Sequence, residues 1–137
     1  MGNQVKVGTE LDGASHTITE EKLVAFERVI WHRVANVHSD PVVAKKVGMS
    51  RTIASGQNQL AFLHQLMEST FGDGWVYGGK IAARWVSPVY VDDVITPRAL
   101  VEEISHVDGK TRVHMNIWCT NQAGTKTALG TAQAYLR

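Results

Sequence analysis

Val113, Met115, Ile117 and Cys119 alternate with Arg112, His114, Asn116 and Trp118. A period of two puts one set on each face of a strand. Segments 78–89, 94–107 and 125–137 also read as strands, and turns are marked at Asp108-Gly109 and Ala123-Gly124, where glycine permits a tight reversal. Together these segments predict four antiparallel strands. Upstream the period changes: Leu23, Phe26, Ile30 and Val34 recur at helical spacing,. Thr19 is placed to cap that helix, and Glu20 and Glu21 suit its dipole, so a helix is expected from about Glu20 to Arg33. Asp40-Pro41 has the form of a helix start, and Gly48 stops a short helix over 41–47. Ser55 is expected to cap a third helix, from about Gly56 to Phe71, that ends at Gly72. Its middle holds Leu60, Ala61, Phe62, Leu63, Leu66 and Met67. So little polar face predicts a helix buried nearly all round. Residues 4–18 read as one short strand and a turn around Asp12-Gly13. The resulting layout is α+β, an antiparallel sheet wrapped around one long central helix.

Composition narrows the function without naming it. The length of 137 residues suggests a single domain, 1–137, and a formal net charge of +1 points to neither a nucleic-acid nor a membrane partner. Cys119 is the sole cysteine, so an intramolecular disulfide is impossible and a cysteine-based zinc site is not expected. "MGNQVKVGTELDG" has no apolar stretch of signal-peptide type,. A reducing, cytoplasmic setting is the expectation.

The stretch "RVANVHSDPVVAKK" carries the first candidate chemistry. Imidazole titrates near neutrality, which suits His38 to move a proton. The plainer reading is a loop histidine bonded to backbone beside the Asp40 cap. Asn36 could orient a water or complete the turn. Ser55-Gly56 opens the long helix, where backbone N–H groups can hold developing negative charge and glycine lets a ligand come close. Their plainer roles are an N-cap for Ser55 and helix–sheet packing for Gly56. His32 and Arg33 suit a helix end, and His64 reads as a core or interface residue. His106 and His114 fall on strands and His16 in a turn; no histidine pair has metal-ligand spacing. Cys119 reads as a small core residue, and Trp85 and Trp118 as sheet packing. Lys80, Arg84 and Arg98 are either solvated or placed to meet a phosphate. Phe62, Met67 and Trp75 line either a tunnel or a core.

"VGTEL" with "HTITEEKLVAF", then "VHSDPVVAKKVGM", "RTIASGQ" and "ARWVSPVYVDDVIT" follow in an order and spacing that resemble the MaoC-like (R)-specific enoyl-CoA hydratase/dehydratase family, of the hotdog fold. The resemblance covers nearly the whole chain. It implies reversible addition of water across the α,β double bond of an acyl-CoA or acyl-carrier thioester. His38 would be the acid/base, the Gly56 N–H would polarise the thioester carbonyl, and Asn36 or Ser55 would position water or substrate. It implies no metal and no redox cofactor, coenzyme A being part of the substrate. It also implies a homodimer or larger assembly with the acyl chain between subunits, and a lone hotdog sheet leaves apolar surface that a partner would cover.

The chain departs from the family pattern at several places. The family aspartate five residues before the histidine is Arg33 here, the pair between them reads Ala35-Asn36, and Trp31-His32 stands in the small-residue segment before it. Ser55 stands where many members have a histidine, and Asp92-Asp93 where they have Gly-Asp. A guanidinium stays protonated and cannot do a carboxylate's work. Three outcomes therefore stay open: His38 acts alone, another carboxylate such as Glu27 or Asp40 reaches the site, or no hydration occurs. The alternatives are a degenerate acyl-CoA-binding hotdog subunit that acts with a partner chain, and a hotdog thioesterase. The thioesterase wants a carboxylate early on the central helix, where this chain has Gln57, Asn58 and Gln59.

Overall fold

The computed structural model describes residues 4–136 apart from 32–34. In chain order the elements are β1 (Glu10–Asp12), β2 (His16–Thr17), α1 (Glu20–Trp31), α2 (Pro41–Lys46), α3 (Gly56–Phe71), α4 (Asp73–Val76), β3 (Lys80–Trp85), β4 (Val94–Val107), β5 (Lys110–Thr120) and β6 (Lys126–Leu136). The sheet runs β1-β4-β5-β6-β3, with β2 paired to β4, and every pairing is antiparallel. This is the α+β hotdog arrangement, with the long helix lying along one face of the sheet.

Alternation decides that face. Val113, Met115, Ile117 and Cys119 are all buried, as their spacing predicts. In β4, Ile95, Ala99 and Val101 turn the same way until the ladder shifts register between Val101 and Glu103. Leu63, Leu66, Met67 and Phe71 of α3 meet them in one core. Ala99, Ala128, Ala132 and Ala134 supply much of the sheet's contribution, and such small side chains let the helix backbone come close.

Four expectations change. The long helix is not apolar all round: Ala61, His64, Gln65 and Glu68 are exposed. They recur at spacings of three and four, so they form one solvent-facing stripe on the side of the central helix away from the sheet. His64 is on that stripe, where its Nδ1 accepts from Trp75 Nε1 at 3.2 Å. Residues 4–18 hold two short strands, not one, and His16 is in the second, stacked flat on Phe62 with ring centroids 4.1 Å apart. The buried positions of α1 are Leu23 and Glu27, while Ile30 is 47% exposed. The expected stripe of Leu23, Phe26 and Ile30 is therefore rotated, and a carboxylate takes an inside place. The helix end expected at Arg33 lies outside the described residues.

The caps at Thr19 and Asp40 and the stop at Gly48 agree with the sequence. Lys22 N donates to Thr19 Oγ1 at 3.2 Å, and Val42 N to Asp40 Oδ1 at 2.8 Å. Gly48 has φ +92° just after α2. Among the described residues no helix is long and apolar enough to cross a membrane.

Candidate functional site

The segment after α1 folds around Asn36. Its backbone carbonyl accepts from Ser39 N at 3.1 Å and from Asp40 N at 2.9 Å. Its side-chain Oδ1 accepts from His38 N at 2.7 Å, the short-range Asx pattern that stabilises a turn. Its Nδ2 donates to Glu27 Oε2 at 3.2 Å. Both ends of the carboxamide are thus engaged in building the loop. Asp40, in turn, is occupied as the cap of α2.

His38 is fixed from a second direction. Its Nδ1 lies 2.9 Å from the carbonyl oxygen of Ile53. A carbonyl can only accept, so Nδ1 carries the hydrogen in the neutral ring and Nε2 holds the lone pair. Ile53 N returns a bond to Val37 O at 3.2 Å, and Ile53 pairs as an isolated bridge with Tyr90. The histidine loop is therefore tied to the segment leading into α3.

His38 and Gly56 line one cavity of about 360 Å³, together with Ile53, Ala54, Gln59 and residues 85–89. Its size lies within the range of small-molecule sites. As first residue of α3, Gly56 has an N–H without an intrahelical acceptor. A methyl group on Gly56 would collide with the Trp85 indole, so glycine is required there by packing. The indole therefore packs directly on the opening of α3, and both residues face the cavity.

The structure brings together two of the four expected site residues and sets two behind them. His38 and Gly56 share the cavity wall; Asn36 and Ser55 are not on it. Ser55 occupies the N-cap position, but its hydroxyl does not bond the helix backbone. It accepts from Asn58 Nδ2 at 3.1 Å instead. Asn58 side chain and Ser55 are both buried, so each satisfies a polar group the other would otherwise strand.

Gln59 is a residue the sequence reading missed. It lies on the cavity wall, 3% exposed, and its Oε1 accepts from Thr127 Oγ1 at 2.6 Å. The signal was present: Gln59 follows Gly56 by three and precedes Leu63 by four, which places it on the inner face. Other candidates resolve as structure. Asp93 is buried, accepting from Tyr90 N and Gln122 Nε2, each at 2.9 Å. Asp92 takes φ 77°, where glycine is favoured. Arg98 pairs with Asp12 at 2.8 Å, and Arg84 lines a separate groove on the sheet. Met67 and Trp75 belong to the core. Cys119 is fully buried, and burial pushes its thiol up to about 12, which leaves it unreactive near neutrality. No group of three or more histidine, cysteine or acidic residues suits a metal among the described residues.

Residues 3–128 match the sequence model of the MaoC-like domain. Among solved structures, the unliganded (R)-hydratase PhaJ1 of Pseudomonas aeruginosa shares 25% identity at a TM-score of 0.80, over 94% of this chain and 80% of that one. The (R)-hydratase of A. caviae involved in PHA biosynthesis shares 18% at 0.81, over 99% and 100%. A chain of the ChsH1–ChsH2 complex of Mycobacterium tuberculosis shares 17% at 0.78, over 98% and 100%. No curated protein matches the sequence.

Proposed function

The chain belongs to the MaoC-like family, and we propose on that premise that it hydrates 2-enoyl thioesters reversibly. One observation carries the reading: the Ile53 carbonyl holds His38 Nδ1–H, so the basic Nε2 belongs to a residue on the same wall as the opening of α3. In the proposed reaction Nε2 takes a proton from water, and the hydroxide oxygen bonds to the β-carbon of the thioester. Negative charge moves to the thioester oxygen, where the Gly56 N–H and the α3 dipole stabilise it. The imidazolium then returns its proton to the α-carbon, completing a net addition of water with one residue as base and acid. Trp85, Val86 and Val89 on the wall keep the surroundings apolar, which strengthens the hydrogen bond to the developing charge.

Asn36 and Ser55 enter this scheme as supports, not as groups that touch substrate, because neither reaches the cavity wall. The substrate is an acyl thioester carried by coenzyme A or a carrier protein, in a cytoplasmic setting. The chain works as a homodimer or a larger hotdog assembly. The occurrence of a structural relative within a two-component complex supports assembly. It also keeps a second reading in play, a binding subunit whose activity depends on a partner chain.

Loss of enoyl-thioester absorbance, followed with crotonyl-CoA and a longer 2-enoyl-CoA, tests the proposal. His38→Ala should lower kcat by about 10²- to 10⁴-fold with circular dichroism unchanged. Equal turnover in wild type and His38→Ala would overturn it. An inert but well-folded wild type would favour the partner-dependent subunit.

A further inference from the structure

Glu27 is the feature the hydration scheme leaves unused. It is 1% exposed, on the inner side of α1, where the helical pattern calls for an apolar residue. Burying a carboxylate is costly until its partners compensate. A leucine there would continue the stripe from Leu23, while Ile30 one turn away is left in water. A buried acid in place of an available apolar residue needs a reason beyond packing.

The hydrogen bonds supply one. Glu27 Oε2 accepts from Asn36 Nδ2 at 3.2 Å, Asn36 Oδ1 accepts from His38 N at 2.7 Å, and His38 Nδ1 donates to Ile53 O at 2.9 Å. The Glu27 bond orients the carboxamide. With Nδ2 held by the acid, Oδ1 is presented to the His38 backbone. A flipped amide would set an N–H donor against the His38 N–H and break both bonds. We propose that Glu27 is a positioning residue for His38: acting through Asn36, it fixes the turn that holds the imidazole against Ile53 and so selects the tautomer with a basic Nε2. The inference rests on the hydration reading for its kinetic consequence, and on geometry alone for the tautomer. It assigns Glu27 no contact with substrate. The chain thus has a carboxylate bearing on the histidine, but from a helix face and through an intermediary.

Glu27→Leu and Glu27→Gln test it, with the enoyl-thioester assay and with nitrogen-15 NMR of the histidine rings. The leucine removes the acceptor, whereas glutamine keeps an oxygen that can accept from Asn36. Glu27→Leu should reduce kcat by about 10²-fold, the scale of a misplaced reacting group, with KM within about twofold. Glu27→Gln should recover most of the loss. The His38 ring should be in the Nδ1–H form in wild type and Glu27→Gln, and a tautomer mixture in Glu27→Leu. Wild-type kcat in a folded Glu27→Leu would overturn the proposal. So would a Glu27→Gln as slow as Glu27→Leu, since that would show the charge itself to be needed. If Glu27→Leu does not fold, Asn36→Ala is read in its place, with the same loss expected and unchanged kcat overturning the idea. If wild type turns over no enoyl thioester, the hydration reading fails and the NMR result decides alone: an unchanged His38 tautomer in Glu27→Leu, or in Asn36→Ala, would reject the positioning role.

Discussion

The face of the sheet beneath α3 and the loop around His38 are built by different physics. Beneath α3, Leu63, Leu66, Met67 and Phe71 meet Val101, Val113, Met115 and Ile117 in a continuous apolar contact. That contact is proportional to area and has no required direction. Around His38, order comes from a few directed hydrogen bonds among Glu27, Asn36, His38 and Ile53. The first arrangement tolerates exchange of one apolar side chain for another of like volume. The second does not, because each bond depends on a donor and an acceptor in one place. Stability should therefore reside mainly in the first region and turnover in the second.

Leu63→Ala probes that division with the largest expected change in stability. A buried leucine truncated to alanine costs about 2–5 kcal/mol, measured by urea unfolding. Turnover per folded molecule should stay near wild type. A proportionate loss of turnover in the folded fraction would break the division.

His16 sharpens it, since it is a titratable group on the core side. Burial, then the neighbouring Lys22 ammonium, lower its pKa from the ordinary 6.5, against an opposing hydrogen bond with Gln65. The folded protein therefore binds that proton less readily than the unfolded chain does. This contribution to stability is present above pH 6.5 and is lost as pH falls from there through the lower folded value. Relative to His16→Phe, which keeps the stack on Phe62 without a charge, wild type should lose more stability between pH 7 and pH 5. Parallel pH curves for the two would contradict the placement.

Asp92→Gly is the gentlest probe and falls at the turn before β4. A non-glycine residue in the left-handed region costs roughly 1–2 kcal/mol, offset in part by the entropy that glycine loses on folding. The pairing with Arg51 that the change removes is exposed and 3.8 Å long, so it contributes little. The expected gain is below about 1 kcal/mol, seen as a small rise in Tm. A fall in Tm would mean that the ion pair matters more than the backbone.

The sheet could be read from the sequence because a period of two survives in β5 without interruption, and α3 because its first and last residues carry their own signals in Ser55-Gly56 and Gly72. The solvent stripe on α3 was hidden by Ala61, an apolar residue that is nonetheless exposed. The cavity wall was legible in part. His38 and Gly56, which share it, stand in local motifs that suggest the proposed chemistry. Glu27 does not, because its burial depends on how α1 is rotated about its axis. Phe26 and Ile30 suggest one rotation, and the packed structure adopts another. Ser55 shows the complementary difficulty: its type and position both read as a cap, yet Asn58 takes the hydroxyl, a choice between two donors that no spacing rule decides.

Trp85 has a consequence in optics. Its indole covers Gly56, lines the cavity and remains 45% exposed. An indole in water emits to the red of one in an apolar surrounding. Any molecule that fills the cavity must replace water beside this ring, so occupancy becomes visible as a blue shift in emission. With Trp31, Trp75 and Trp118 replaced by phenylalanine, the chain would carry its own gauge of binding at the mouth of α3, readable without turnover and without a labelled ligand.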